Sequence, residues 1–311
     1  MKKITALILI VSLVTMLLCS CKKDDTKIKI GVMSGPTGMG MAQLMTDDSA
    51  QDKYEFFVRS KPTDATAELA NGDLDMLCLP TNTAANLAAS QKDYITVLAI
   101  NCLGSLYLMT DGNTEIKSVK DLEGQTIVAS VASSTTGPII NFILNQNNVN
   151  ATVEFEDDHD TLVARVKKGD APIVILPEPK ASAALKQNST YSIDLNLSEE
   201  WDKISDEPLT MGCIVVRNDF LANHRRVVKK FLEDYKASIE YIGNEENLES
   251  AAQMIVDAGV LPQLPIATSA LGNLYGSIVY IDGDDMEKAL KGFYDAINQA
   301  KLPDDDFYYE G

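Results

Sequence analysis

Two stretches of the chain, ANGDLDMLCLPTN at residues 70–82 and KKGDAPIVILPEP at residues 167–179, follow the same pattern. In each, Gly-Asp ends a helical segment, a short apolar strand follows, and a proline-containing turn leads into the next helix. Gly72 and Gly169 are 97 residues apart, as are Pro80 and Pro177. A repeat of this length is far too long for a solenoid and predicts two similar lobes.

The segments around this pair extend the duplication. Strands are predicted at 26–33, 54–59 and 75–79 in the first copy, and at 126–130, 152–155 and 173–176 in the second, with helices between them. Alternating strands and helices indicate the α/β class, with mainly parallel sheets and right-handed crossovers. Ligand sites of such sheets lie at the carboxyl ends of the strands, so the turns there are the informative ones.

Two apolar segments, 97–109 and 209–217, are predicted to cross between the lobes as a hinge. They divide the chain into lobe I, residues 28–101 and 213–311, and lobe II, residues 102–212. If the crossings run side by side, Cys102 and Cys213 lie close together and a disulfide is conceivable. Buried free thiols are the favoured state for these two cysteines and for Cys78, because three thiols with these spacings form no disulfide framework or zinc site.

The C-terminal third is predicted to be helical and to pack on lobe I. The pattern indicates a long amphipathic helix at 223–242, a strand at 278–281, and an acidic, aromatic tail at 304–309 on the surface. The further helices are predicted at 248–258, 266–273 and 284–300.

The first residues are typical of export. Lys2 and Lys3 precede an apolar run at 4–18, which is too short to span a bilayer. Residues 1–20 are therefore predicted to be a signal peptide. The tetrad LCSC at 18–21 resembles a bacterial lipobox, so Cys21 is the expected lipidation site, carrying diacylglycerol and palmitate, and residues 21–27 a tether. The predicted location is extracytoplasmic, lipid-anchored to the membrane.

The net charge of −18 argues against nucleic acid as a partner. Removing residues 1–20 takes away two lysines and leaves 25 basic against 45 acidic residues, a net −20. The lipid, rather than charge, would then hold the chain at the membrane.

The candidate ligand residues are those in the turns that follow the duplicated strands and in the two crossings. A hydroxyl-rich turn at 133–136 precedes a predicted helix and offers more side chains than capping needs. Asn82 and Glu178 occupy corresponding turns and would face each other across the cleft. The complete set is Gly35, Pro36, Thr37, Gly38, Met39, Pro80, Thr81, Asn82, Ser105, Tyr107, Ser133, Ser134, Thr135, Thr136, Glu178 and Met211.

None of these turns contains Lys or Arg, so a multiply charged anion would have no ionic partner. A neutral, polar or nitrogen-bearing ligand fits better, although helix N-termini can hold a single anionic group. The alternative to a ligand-binding role for Glu178 is a carboxylate on a solvent-exposed loop. Tyr107 and Trp201 are weaker candidates for stacking on a flat ligand; the alternatives are core packing for Tyr107 and a surface or hinge position for Trp201.

Taken together, the chain resembles bacterial solute-binding lipoproteins of ABC importers, in the branch similar to nitrate, sulfonate and thiamine-pyrimidine binding proteins. The resemblance rests on the lipobox, the pair quoted above, and three further motifs: IKIGVMSGPTGMGMAQLM at 28–45, SVKDLEGQTI at 118–127 and MGCIVVRNDF at 211–220. It implies a two-lobed, type II clamshell fold and a monomer without a cofactor. It also implies that the closed form delivers a small polar or heterocyclic solute to the permease subunits.

Other classes are less well supported. An anion receptor of the same fold stays open, and so does an enzyme similar to thiamine-pyrimidine synthases, but the cysteine-rich motif of those synthases is missing. His159 and His224 are predicted to be solvated surface residues, which leaves no base beside a nucleophile and too few ligands for a transition-metal site. The glycines at 35, 38 and 40 do not match a nucleotide-binding fingerprint. A purely structural lipoprotein would not need polar turns at corresponding points of two lobes.

Overall fold

The computed structural model describes residues 24–130 and 135–311. The predicted signal peptide 1–20, the lipidation site Cys21, and the candidate residues Ser133 and Ser134 lie outside the described residues. Within the described ranges, no helix is long and apolar enough to cross a bilayer.

Two separate sheets divide the molecule into two lobes, which confirms the predicted two-lobed α/β class. Lobe I is built on a six-stranded sheet of order β11-β4-β10-β3-β1-β2. Its strands are β1 (Ile28–Met33), β2 (Tyr54–Arg59), β3 (Met76–Pro80), β4 (Ile95–Leu103), β10 (Thr210–Arg217) and β11 (Ile278–Ile281). Its helices are α1 (Pro36–Met39), α2 (Ala42–Thr46), α3 (Pro62–Asn71), α4 (Thr81–Ser90), α9 (Asn218–Ile242), α10 (Leu248–Asp257), α11 (Leu264–Asn273) and α12 (Gly283–Ala296).

Lobe II is built on a five-stranded sheet of order β7-β6-β8-β5-β9. Its strands are β5 (Leu106–Thr110), β6 (Thr126–Ser130), β7 (Thr152–Glu156), β8 (Ile173–Pro177) and β9 (Ser192–Asn196). Its helices are α5 (Thr136–Gln146), α6 (His159–Lys168), α7 (Lys180–Gln187) and α8 (Leu197–Asp202).

The duplication is present in three dimensions. β1 pairs in parallel with β2 and β3, and β6 pairs in parallel with β7 and β8. Gly72 and Gly169 both end helices in the left-handed conformation, with φ of 80° and 75°. This conformation is the one that favours glycine at a helix C-terminus. Helix α6 and strand β8 begin 97 residues after α3 and β3, which is the offset found in the sequence.

The two segments predicted as crossings form extended strands, of which β4 and β10 belong to the sheet of lobe I and β5 to that of lobe II. β4 and β10 lie side by side as an antiparallel pair, in which Gly212 is opposite Cys102. The thiols of Cys78, Cys102 and Cys213 are buried and free, so the Cys102–Cys213 bridge is not formed. Burial raises the pKa of the Cys102 thiol to about 12, which keeps it protonated.

The C-terminal helices pack against lobe I, where α9 contributes Phe231, Tyr235 and Ile239 to the core. The expected surface position of the tail is wrong. Phe307 and Tyr308 are 3% and 6% exposed, and the backbone N–H of Tyr309 donates to the carbonyl oxygen of Val97. Burial of the aromatic rings stabilises the fold. The acidic residues beside them lose no hydration, because Asp304 and Asp305 remain exposed.

Gly38 is required by close packing between α1 and the end of β1. A Cβ atom added at this position would lie 2.0 Å from the backbone oxygen of Met33. Gly38→Ala is therefore expected to lower the free energy of unfolding by about 1–3 kcal/mol, because no rotamer change can relieve a clash with the backbone.

Gly272→Ala is the matched control. Nothing lies within 4 Å of its added methyl group, and the residue is inside α11. Its stability should stay the same or rise by up to about 1 kcal/mol. Urea denaturation followed by circular dichroism measures both variants. Equal stability of the Gly38 variant and the parent protein would contradict this packing.

Candidate functional site

The turns at the carboxyl ends of β1 and β8 meet where the two lobes touch. A Cβ atom built on Gly35, in lobe I, would lie 3.8 Å from Cδ of Pro179, in lobe II. Gly35 has φ of 107°, a backbone conformation that side-chain-bearing residues rarely adopt. The structure therefore brings the turn containing Gly35 and Pro36 against the turn containing Glu178.

Behind these turns, β10 passes very close to α1. A Cβ atom on Gly212 would lie 2.4 Å from Cγ2 of Thr37 and 2.6 Å from Oδ1 of Asn101. Asn101 is 1% exposed, and its Nδ2 donates to the Thr37 carbonyl oxygen at 3.1 Å and to the Tyr235 hydroxyl at 3.0 Å. Its Oδ1 has no hydrogen-bond partner within the described part of the chain. Asn101 is thus a buried polar group that the sequence reasoning missed.

Thr135 and Met211 also lie together across the lobe boundary. The Thr135 hydroxyl is 3.9 Å from the Met211 sulfur, and Thr135 and Thr136 are both buried at the start of α5. The Thr81 hydroxyl donates to the Thr210 carbonyl oxygen at 2.9 Å. Pro80 and Asn82, at the start of α4, remain half-buried.

Two candidates lie in the core of lobe I instead. Met39 is fully buried in the hydrophobic cluster that contains Val32 and Tyr235, and Gly38 packs on the backbone of β1. Both positions hold the turn after β1 in place. The side chain of Met39 is not offered to a ligand in this arrangement.

Glu178 is buried rather than solvated. Its carboxylate is 2% exposed and accepts from Asn273 Nδ2 at 2.6 Å and from the Ser182 hydroxyl at 2.9 Å. Its backbone N–H donates to the carbonyl oxygen of Ser105 at 2.9 Å. Burial raises the pKa of Glu178, and the hydrogen bonds from Asn273 and Ser182 offset part of that rise.

The contacts of Glu178 belong to a larger polar cluster that joins α7 of lobe II to α11 of lobe I. The Ser182 and Ser269 hydroxyls are 3.0 Å apart, and the Tyr107 hydroxyl donates to the Asn273 carbonyl oxygen. We call Tyr107, Glu178, Ser182, Ser269 and Asn273 the seam cluster. Sequence reasoning found Tyr107 and Glu178 but missed the two residues of α11, which carry no pattern that relates them to a turn about 90 residues away.

Of the two positions expected for Trp201, surface or hinge, the surface position is wrong. Its side chain is fully buried, with its ring 4.6 Å from that of Phe142 and 5.8 Å from that of Phe293. Its indole N–H donates to the Glu207 carbonyl oxygen at 2.8 Å. Because Phe142 belongs to lobe II and Phe293 to lobe I, Trp201 is an apolar contact between the lobes.

The expected surface position of His159 is also wrong. Its ring is half-buried at the start of α6, and its Nδ1 contacts the hydroxyl of Ser130, which is fully buried. Burial, and then the positive charge of Lys180, lower the pKa of His159. A histidine therefore does lie beside a serine at the carboxyl edge of the second sheet. His224 is 27% exposed and pairs with Asp24 at 2.8 Å.

An open groove of about 490 Å³ lies between α5 and the end of α12. Polar side chains of both helices line it, among them Asn141, Asn145 and Asp295. Among the described residues, no group of three or more His, Cys, Asp or Glu side chains could hold a metal ion.

The contacts of His159 predict how its ionisation responds to mutation. Lys180→Met is expected to raise the pKa of His159 toward the ordinary value of about 6.5, because it removes a nearby positive charge. The pKa of His159 is lower in the folded chain than in the unfolded one, so the unfolded chain binds more protons. His159 therefore lowers the free energy of unfolding as the pH falls below about 6.5.

The measurement is a proton NMR titration of the two histidine rings, with His224 as the internal reference. Lys186→Met, on the exposed face of the same helix, is the control and should leave His159 unchanged. A pKa of His159 that is the same in both variants would contradict the electrostatic coupling to Lys180.

Comparison with known proteins places this geometry in a family. A family model described as menaquinone biosynthesis matches residues 36–299. No curated protein matches the chain. Among solved structures, an ABC transporter protein from Parabacteroides distasonis has a TM-score of 0.74 at 20% identity, with 92% of this chain and 99% of that chain covered.

Two further solved structures are similar. The aliphatic sulphonate binding protein SsuA from Escherichia coli has a TM-score of 0.71 at 15% identity, with 91% and 92% covered. The ligand-binding component of an ABC-type import system from Staphylococcus aureus, with zinc bound, has a TM-score of 0.70 at 14% identity, with 92% and 97% covered. These structures confirm the predicted fold. The chain belongs to the menaquinone-biosynthesis family, and its fold is that of the periplasmic solute-binding proteins of ABC importers.

Proposed function

We propose that this protein is the solute-binding component of an ABC importer, which captures a small molecule between lobe I and lobe II, the chain entering lobe II after β4 and returning to lobe I at β10. The observation that carries the proposal is the meeting of the Gly35 and Pro179 turns, one from each lobe, at the carboxyl ends of their strands. Its structural neighbours are mostly transport-associated binding proteins. Closure on a solute would exclude water, and the permease subunits would recognise the closed form.

The solute we propose is small, polar and neutral or nitrogen-bearing. Lys180 is the basic residue that follows the Glu178 turn directly, and it is paired with Asp160. The unpartnered Oδ1 of Asn101 is an acceptor, which suits a ligand that donates hydrogen bonds. A sulfonate, which SsuA binds, would need donors instead and is the alternative within the same fold.

Mass spectrometry of small molecules released from the denatured protein, followed by calorimetry, should identify the solute. Asn82→Ala and Thr135→Ala are each expected to weaken binding by about fivefold to tenfold, the effect of one lost hydrogen bond. Thr152→Ala, at the exposed amino end of β7 and so at the opposite edge of the sheet from the turns, is the control. If both pocket variants bind as tightly as the control, the assignment of the pocket is wrong.

A second candidate function is an enzyme, favoured by the contact between the Ser130 hydroxyl and Nδ1 of His159 together with the family's biosynthetic description. A histidine whose pKa is lowered is neutral near pH 7 and can accept a proton. Chemical conversion of the identified molecule, lost in His159→Gln, would favour this candidate. Recovery of the identified molecule unchanged after prolonged incubation with the protein would favour the receptor.

We further propose that the protein is exported by the signal peptide 1–20 and anchored through lipid on Cys21, as a monomer on the extracytoplasmic side of the membrane. The lipobox tetrad at 18–21 supports this proposal. In Cys21→Ser, the protein is expected to move from the detergent phase to the aqueous phase in a Triton X-114 partition. Cys78→Ser, at a fully buried thiol, is the control and should stay in the detergent phase. Equal partitioning of the two variants would contradict lipidation at Cys21.

A further inference from the structure

The seam cluster joins the lobes through neutral donors around one acidic group. From lobe II, Ser182 donates to Glu178 through its hydroxyl at 2.9 Å and its backbone N–H at 3.3 Å. From lobe I, Asn273 donates to the same carboxylate at 2.6 Å. The carboxylate is 2% exposed, so contact between α7 and α11 removes it from water.

No described Lys, Arg or His side chain has a hydrogen bond or ion pair with this carboxylate. On its own side, Lys180 is paired with Asp160. Helix α11 contributes no charged residue, since its sequence is LPIATSALGN. On β5 the facing titratable group is Tyr107, whose pKa is raised by burial and by the charge of Glu178. A carboxylate buried among neutral groups is costly when ionised, whereas an acid protonated on Oε2 keeps the two shorter bonds that Oε1 accepts from Asn273 and Ser182.

The geometry points to a proton-linked latch: the two lobes close at the seam cluster with uptake of one proton on Glu178 and reopen when that proton is lost. Asn273 and Ser182 hold the acid from opposite lobes, and the hydrogen bond between Ser182 and Ser269 holds their helices together. The latch acts in the protein without solute, so it stands or falls independently of the proposed function.

The direction of the pH effect follows from linkage. Burial in the closed form raises the pKa of Glu178 above the ordinary carboxyl value that it would have in an open, solvated form. The closed form therefore binds more protons between these two pKa values, and closure weakens as the pH rises through that window. Each unit by which closure raises the pKa changes the equilibrium between closed and open forms about tenfold.

Small-angle X-ray scattering of the solute-free protein from pH 4 to pH 8 tests the latch. The radius of gyration of the parent protein should increase with pH, because the open form is the more extended one. Glu178→Gln keeps a neutral hydrogen-bonding group of the same size, so it should remain compact over the whole range. The single tryptophan, Trp201, gives a second reading, since opening would separate its ring from Phe293 and change its emission.

Two further variants test whether the pH dependence comes from Glu178 and from the contact between the lobes. Glu154→Gln, at an exposed carboxylate on β7 of the same lobe, is the matched control and should keep the pH dependence of the parent protein. Ser269→Ala removes one bond across the seam without changing a charge. It should shift the opening to lower pH. A destabilised closed form stays populated only where Glu178 is more fully protonated. A radius that is independent of pH in the parent protein, or a Glu178→Gln variant that still opens with pH, would overturn the latch.

Discussion

Parallel pairing of β1 with β2 and β3, repeated in β6 with β7 and β8, is the constraint on which the site depends. Parallel strands end at the same edge of a sheet, so every helix that follows them starts there. Because the two sheets face each other at those edges, the turns after β1 and β8 come together although 143 residues separate Gly35 from Glu178. The polar contacts between the lobes follow from this placement.

Glycines allow α1 and α8 to pack closely against the chain near the crossings. Gly212 leaves room for Thr37 and Asn101, and a Cβ atom on Gly104 would lie 1.6 Å from the Ser198 hydroxyl oxygen. Gly104 lies in the link from β4 to β5, where the chain enters lobe II, and Gly212 lies near the start of β10. Their small size lets α1 and α8 pack directly against these segments. A movement at the hinge would therefore also move the turn that leads into α1.

Much of the fold could be predicted because it is encoded locally. The left-handed helix ends at Gly72 and Gly169 and the short apolar strands after them are visible in the sequence as a repeat. The seam cluster could not be predicted in full, because Ser269 and Asn273 come from a helix whose sequence does not indicate which residues face the other lobe. His159 and Trp201 were misplaced for the same reason: tertiary packing against Ser130 and Phe293 decides their burial, and no local pattern records it.

The buried thiols bear on how the chain matures. Cys78, Cys102 and Cys213 are fully covered, and burial raises the pKa of each. Thiol–disulfide exchange requires a thiolate with access to its partner, so the folded protein is protected from oxidants by its own core. The vulnerable period is the interval before β4 and β10 pair. Folding speed, rather than a covalent cross-link, therefore decides whether these three sulfur atoms remain reduced when an oxidant is present.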